Sequence, residues 1–214
     1  EAGDTIAVPL LADDDPLVLL DRHGEMPLPP YITTRLDRPE RYQTVYSSEP
    51  ASAAAPTAGL HFTPELLADL ETSGVETARV ELVVGLDTFK PVSVEDPRDH
   101  PIHSERYRVS AEVLERCATA RRVVAVGTTS VRALESAATF GALAGRTRLF
   151  IHRPYEWKVV DLMMTNFHLP RTTLLLMIDA FVGPRWRRLY DEALREQYRF
   201  LSFGDAMLLD RRAG

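Results

Sequence analysis

The chain has 214 residues, 45% of them hydrophobic and 26% charged, which is enough for a real core and a second small unit. Its net charge of −6 argues against a generally basic nucleic-acid-binding surface, although a local basic patch needs only a few well-placed arginines. No run approaches the roughly 20 apolar residues of a membrane span, the start lacks a signal-peptide pattern, and the single Cys117 rules out an internal disulfide; a cytoplasmic protein is expected.

In chain order, residues 5–11 and 17–20 read as short β-like pieces separated by the acidic turn DDDP, followed by the proline-rich entry MPLPPYI. RYQTVY, residues 41–46, reads as a short strand, and residues 47–58 as an Ala/Ser/Pro loop. In TAGLHFTPELLADLETSG, Thr63 is placed as an N-cap, Pro64 at the first helical position and Gly74 at the end, with Leu66, Leu67 and Leu70 as the apolar face. Thr57, Gly59 and His61 therefore stand just before a helix start.

Residues 75–84 read as a strand and GLDTFKPV as a turn with a short extended piece. The loop DPRDHPIHSE holds His100 and His103; with no third ligand in pattern, metal binding is disfavoured, and His103 with Glu105 reads as an acid–base pair. Residues 111–121 predict a helix.

VVAVGTTSVRALE, residues 123–135, is the central motif. It reads as a strand buried on both faces, a sharp turn at Gly127, and a helix start at which Thr128, Thr129 and Ser130 gather hydroxyls and free N–H groups suited to an anion or a ribose edge. Strands are then expected at 146–151 and 158–163. A loop at 165–170 presents Asn166 and His168 before an apolar helix capped by Thr172 and Thr173 and ended by Gly183. The last elements are an amphipathic helix at 190–198, next to a cluster of Arg185, Arg187 and Arg188 that reads as a solvated face, and a strand at 200–209 with a turn at Gly204-Asp205. This order predicts an α/β fold with a mainly parallel or mixed sheet flanked by helices. In such a sheet the three polar clusters that precede helix starts converge at the carboxyl edge of the strands.

RYQTVY, AAPTAGLHFT, GLDTFKPV, HSE, AVGTTSVRALES, VVDLMMTNFHLP and SFGDAMLL, in this order over residues 26–209, resemble the S-adenosylmethionine:tRNA ribosyltransferase-isomerase family of queuosine biosynthesis. The resemblance implies an α/β catalytic domain at 26–214 and, at 1–25, the last strands of a small inserted β-barrel. It also implies transfer of the ribosyl part of S-adenosylmethionine to a deazaguanine in tRNA, giving epoxyqueuosine with release of adenine and methionine.

Chemically, the sulfonium acidifies the C5′ hydrogens, a base generates an ylide that expels adenine, the amine of the acceptor adds, and methionine leaves as a neutral thioether when the epoxide closes. No metal and no cofactor beyond S-adenosylmethionine as substrate is implied. Under the resemblance His61 and His168 are the leading acid–base candidates, with His103 and Glu105 in reserve. Thr128, Thr129, Ser130 and Arg132 would hold the methionine carboxylate or ribose, and Thr57, Gly59 and Asn166 would complete the ribose and adenine pocket.

The chain departs from the family pattern TLHVGLGTFRPV at Val83, Asp87 and Lys90, and carries Arg153-Pro154-Tyr155 for Pro-Gly-Tyr and Leu201-Ser202-Phe203 for Phe-Ser-Tyr. A reaction of S-adenosylmethionine without tRNA, such as cyclisation to 1-aminocyclopropane-1-carboxylate and methylthioadenosine, is the enzymatic alternative. An inactive binding module is the non-enzymatic one.

Overall fold

In the computed structural model the described residues are 15–24, 27–48, 51–85 and 94–212. The expected strand at 5–11, the turn residues Asp87 and Lys90, and Met26 lie outside them. The chain forms two compact units, Glu1–Thr33 and Thr34–Gly214.

In the first unit, residues 17–20 are helical, within α1 (Pro16–His23), rather than β-like. An unbroken apolar run has no alternation to hold it in a strand, and Pro16 sets a helical φ at the first position. The Asp15 carbonyl accepts from the Leu19 N–H at 3.1 Å, and the Gly24 N–H closes the end on Leu20. No barrel strand is seen among the described residues of this unit.

The second unit opens with a 3₁₀ turn, Pro39–Tyr42, where a strand was expected. Tyr42 and Thr44 are buried at alternate positions, which imitates strand periodicity. Their backbone is satisfied locally, by the Gln43 side chain on Thr44 N–H and by Ser47 N–H on Thr44 O. The segment read as an Ala/Ser/Pro loop is anchored: Ala53 N–H donates to Val84 O at 2.8 Å, and the Ser52 hydroxyl bridges Leu82 O and Val84 N–H. Helix α2 (Pro64–Thr72) starts where expected, with Thr63 Oγ1 accepting from Leu66 N–H, yet it buries none of its residues and Leu66 is exposed.

One sheet is antiparallel throughout, in the order β1 (Glu81–Val83), β2 (Glu105–Arg108), β4 (Ala144–Thr147), with Glu81 opposite Arg108 and Glu105 opposite Thr147. The other is mixed: β3 (Val124–Val126) runs parallel to β5 (Leu162–Asn166), and β5 antiparallel to β6 (Ala206–Asp210). Of the expected alternatives, a mainly parallel or a mixed sheet, this one is mixed, with a single parallel pair. In β3 only Ala125 is buried, and Val124 is half exposed, so this strand is not covered on both faces.

Four of these strands are shorter than expected or displaced along the chain, for identifiable reasons. Residues 75–80 pair with no strand; Arg116, from α3 (Ala111–Thr119), bonds the Thr77 carbonyl and the Glu76 carboxylate. At 149–160 the polar backbone is taken by side chains of α4 (Thr128–Phe140): Arg132 Nε donates to Leu149 O, and Glu135 accepts the N–H groups of Lys158, Val159 and Val160. Groups bonded to side chains are unavailable to a ladder. The final strand begins only after the turn, because Asp205 accepts the Arg199 N–H and donates its own N–H to the Arg199 carbonyl.

Helix α4 contacts β1 and β2 of one sheet and β3 and β5 of the other, and residues Val131 through Ala137 are all buried. Helix α5 (Thr173–Val182), capped by Thr172 on Leu175 N–H, adds Met177, Ile178, Phe181 and Val182 to the same core. Burial stabilises each such side chain by about 1.5–3 kcal/mol relative to exposure. Helix α6 (Trp186–Arg195) begins four residues before the expected position and packs Tyr190 and Ala193 against Phe167.

Candidate functional site

Because β3 and β5 are parallel, their carboxyl ends lie at one edge, and the chain leaves β3 there through Gly127. Gly127 has φ +86°, a conformation that glycine adopts without strain. Its N–H donates to Met164 O at 2.8 Å, tying the turn to β5. A Cβ at Gly127 would stand 3.2 Å from Thr129 Oγ1. Gly127 itself is the N-cap of α4 and has no side chain to cap it, and among the described residues no side-chain acceptor meets the first N–H groups of α4.

At the start of α4 lies a pocket of about 460 Å³, its open mouth included. Thr128, Thr129 and Arg132 of α4 meet His103 and Glu105 of the β2 side within it. Leu82, Val84, Ile102, Phe150 and Met177 provide apolar walls. His103 Nε2 lies 2.8 Å from Glu105 Oε1, and the other Glu105 oxygen accepts from Arg132 Nη1. Arg132 Nη2 also donates to His103 O at 3.1 Å and Nε to Leu149 O at 3.2 Å. Arg132 and Glu105 are buried, and desolvation lowers the guanidinium pKa while the neighbouring carboxylate opposes that shift. His103 Nδ1 has no hydrogen bond among the described residues. Ser130, also expected in the site, does not line this pocket.

Asn166, at the end of β5, is buried and accepts from Thr57 Oγ1 at 3.0 Å. Its amide nitrogen is 3.4 Å from His61 Nε2 and 3.5 Å from Asp205 O. The Thr57–His61 3₁₀ turn thus covers the strand edge, with His61 exposed. The Asp205 carboxyl is held low, first by the Arg199 N–H and least by His61.

A Cβ at Gly59 would stand 2.0 Å from the Tyr46 hydroxyl and 2.8 Å from Thr44 Cγ2, so its smallness serves packing. His168 Nε2 is 2.9 Å from Thr165 Oγ1, its N–H donates to Tyr190 Oη at 3.0 Å, and burial depresses its pKa to about 4.

Thr57, His61 and Asn166 are joined by their own hydrogen bonds and are not among the residues that line the pocket of Thr128, Thr129, His103 and Glu105. Thr165 and Asn166 lie in β5 rather than in a loop, and Glu135, the fully buried carboxylate of α4, also accepts from the Tyr155 hydroxyl at 3.1 Å. Its signal in the sequence is a charged residue one helical turn from Arg132, but its partners lie 20 or more residues away. Val83 alternates between Leu82 and Val84, the two β1-side residues that line the pocket, and pairs with Arg106; the departure at Val83 thus falls on the sheet face away from the pocket. Among the described residues no group of three or more His, Cys, Asp or Glu is arranged to hold a metal, and no helix is long and apolar enough to cross a membrane.

Residues 3–209 match the family model described as queuosine biosynthesis protein. Curated relatives named S-adenosylmethionine:tRNA ribosyltransferase-isomerase include those of Synechococcus elongatus, 55% identical over 87% of this chain and 54% of the relative, and of Symbiobacterium thermophilum, 54% identical over 89% and 59%. The crystal structure of S-adenosylmethionine tRNA ribosyltransferase from Thermotoga maritima superposes with a TM-score of 0.59 at 44% identity, covering 71% of this chain and 50% of that one. The chain spans about half the length of the curated relatives it matches. With a family match across nearly its whole length and relatives above 50% identity, the chain belongs to the queuosine biosynthesis protein family.

Proposed function

We propose that this chain carries the S-adenosylmethionine site of a tRNA ribosyltransferase-isomerase, with the pocket beneath the α4 N-terminus as its centre. The observation that carries this reading is the shared pocket itself: an uncapped helix N-terminus with two threonine hydroxyls faces a histidine held by a buried carboxylate and arginine. Helix N–H groups favour a carboxylate, so the methionine end of the substrate sits at Thr128 and Thr129. Leu82, Val84, Ile102 and Phe150 shield the reacting carbon from water.

His103 is the base that removes the C5′ proton, through Nδ1, because its Nε2 is engaged by Glu105. Glu105 stabilises the imidazolium that forms, and Arg132 holds the Glu105 carboxylate in place. Arg132 has protein acceptors on all three of its nitrogens, so it acts as a positioning residue rather than a substrate clamp. His168 is a poorer choice of base: its depressed pKa leaves little proton affinity near neutral pH, and Thr165 occupies its Nε2. His61, Thr57 and Asn166, joined to one another by hydrogen bonds, border the region that the acceptor base enters.

The test is incubation of the protein with S-adenosylmethionine, with and without precursor tRNA, and identification of the products. Adenine and methionine appearing only with tRNA support the reading. His103→Ala is expected to lower kcat by about 100-fold or more with little change in KM for S-adenosylmethionine. Methylthioadenosine formed without tRNA, or an unchanged kcat in the folded variant, would sink the respective part of the proposal.

A further inference from the structure

The outer face of the antiparallel sheet is basic, although the chain as a whole carries −6. Strand alternation buries Glu105, Tyr107 and Thr147 and turns Arg106, Arg108 and Arg146 outward, with exposed Arg148 continuing the pattern past β4. Arg108 is paired with Glu81 at 2.7 Å. The β2–β4 register sets Arg106 directly opposite Arg146, a like-charge pairing that destabilises a sheet unless an anion lies over it. No acidic side chain pairs with Arg106 among the described residues. Arg146 is pre-oriented by donating from Nε to Ser104 Oγ and from Nη2 to Ser104 O, both at 3.0 Å. Between these arginines Ala144 and Gly145 leave a low floor, forming an open groove of about 740 Å³.

We propose that this face is the track for the phosphate backbone of the RNA acceptor; the inference rests on the tRNA reading above. Alternate residues of a strand are roughly 7 Å apart, a step comparable with that between successive phosphates. The arginine pair lies at the end of the sheet where His103, Val84 and Phe150 line the pocket, so a backbone following the groove arrives beside the pocket mouth. A protein partner is a poorer fit, because the face offers no large exposed apolar or aromatic anchor among the described residues. Phosphate contacts need only cations.

The experiment titrates precursor tRNA transcript into the parent chain and into Arg106→Ala/Arg146→Ala across about 50 to 200 mM salt, with poly-glutamate as a second ligand. The parent is expected to bind tRNA with a steep salt dependence. The double variant should lose about 10-fold or more in affinity, and its log–log salt slope should fall by roughly two. Its melting temperature is expected to be equal or higher, since a like-charge pair is relieved, and Lys at both positions should restore binding. If the parent binds tRNA and the double variant matches its affinity and slope, the track is refuted while the tRNA reading stands. If the parent binds no tRNA at the lowest salt, both fall. Poly-glutamate binding as tightly as tRNA, with the same arginine dependence, would replace RNA by an acidic polypeptide.

Discussion

His168 shows how one side chain can link protonation to stability. Half-buried beside Thr165 and Tyr190, it has a pKa lowered by desolvation to about 4 in the fold, against about 6.5 in an unfolded chain. The folded state keeps the ring neutral while the unfolded state takes up a proton below pH 6.5. The contribution is therefore intact above pH 6.5, declines as pH falls toward 4, and is fully lost below that. At about 1.4 kcal/mol per unit the loss reaches up to about 3 kcal/mol. Denaturant titrations of the parent and of His168→Gln at pH 7 and pH 4.5 should show the variant losing less stability over that interval; parallel losses would discard this account. At the same scale the helix caps Thr63 and Thr172 were legible, because a capping hydroxyl acts three residues away. Gly59 was legible as important but not for its reason, which is the Tyr46 hydroxyl 13 positions earlier in the chain.

Among the elements, α4 carries the largest share of polar work inside the core. Glu135 holds three consecutive N–H groups at 3.0 Å and the Tyr155 hydroxyl, so it fixes the strapping segment that replaces the expected strand at 158–163. Glu135→Ala leaves those buried donors without an acceptor and should cost about 3 kcal/mol or more, whereas Glu135→Gln, which keeps one acceptor oxygen, should cost less. Urea unfolding of both variants checks the order; equal costs would mean that cavity formation, not the cradle, dominates. The position of α4 itself was readable from VVAVGTTSVRALE. That it lies between two sheets was not, because a helix buried all round shows no apolar stripe to distinguish its inward from its outward polar residues. The pairing of His103–Glu105 was likewise visible as two residues two apart, while Arg132 joins them only through the register of α4 on β2.

For the whole molecule, the α/β class and the convergence of polar groups at the strand edge followed from the order of elements, and the single parallel pair suffices to create that edge. What the chain order does not disclose is which strands share a sheet. β1 and β2 belong with β4, and β3 belongs with β5 and β6, so the two sheets are interleaved along the chain and α4 passes between them. Neither sheet can be completed by a contiguous stretch: the antiparallel sheet waits for β4, which follows β3 and α4, and the mixed sheet waits for β5 beyond β4. The Thr34–Gly214 unit should accordingly unfold in one step, with Trp157 and Trp186 fluorescence and far-ultraviolet dichroism reporting coincident transitions. Separated midpoints would show the sheets melting independently. The same interlacing makes the folding nucleus non-local, which slows its formation. A nick at the α4–β4 connection would consequently cut both sheets off from completion at once, so a single proteolytic event there would abolish the fold instead of releasing half of it.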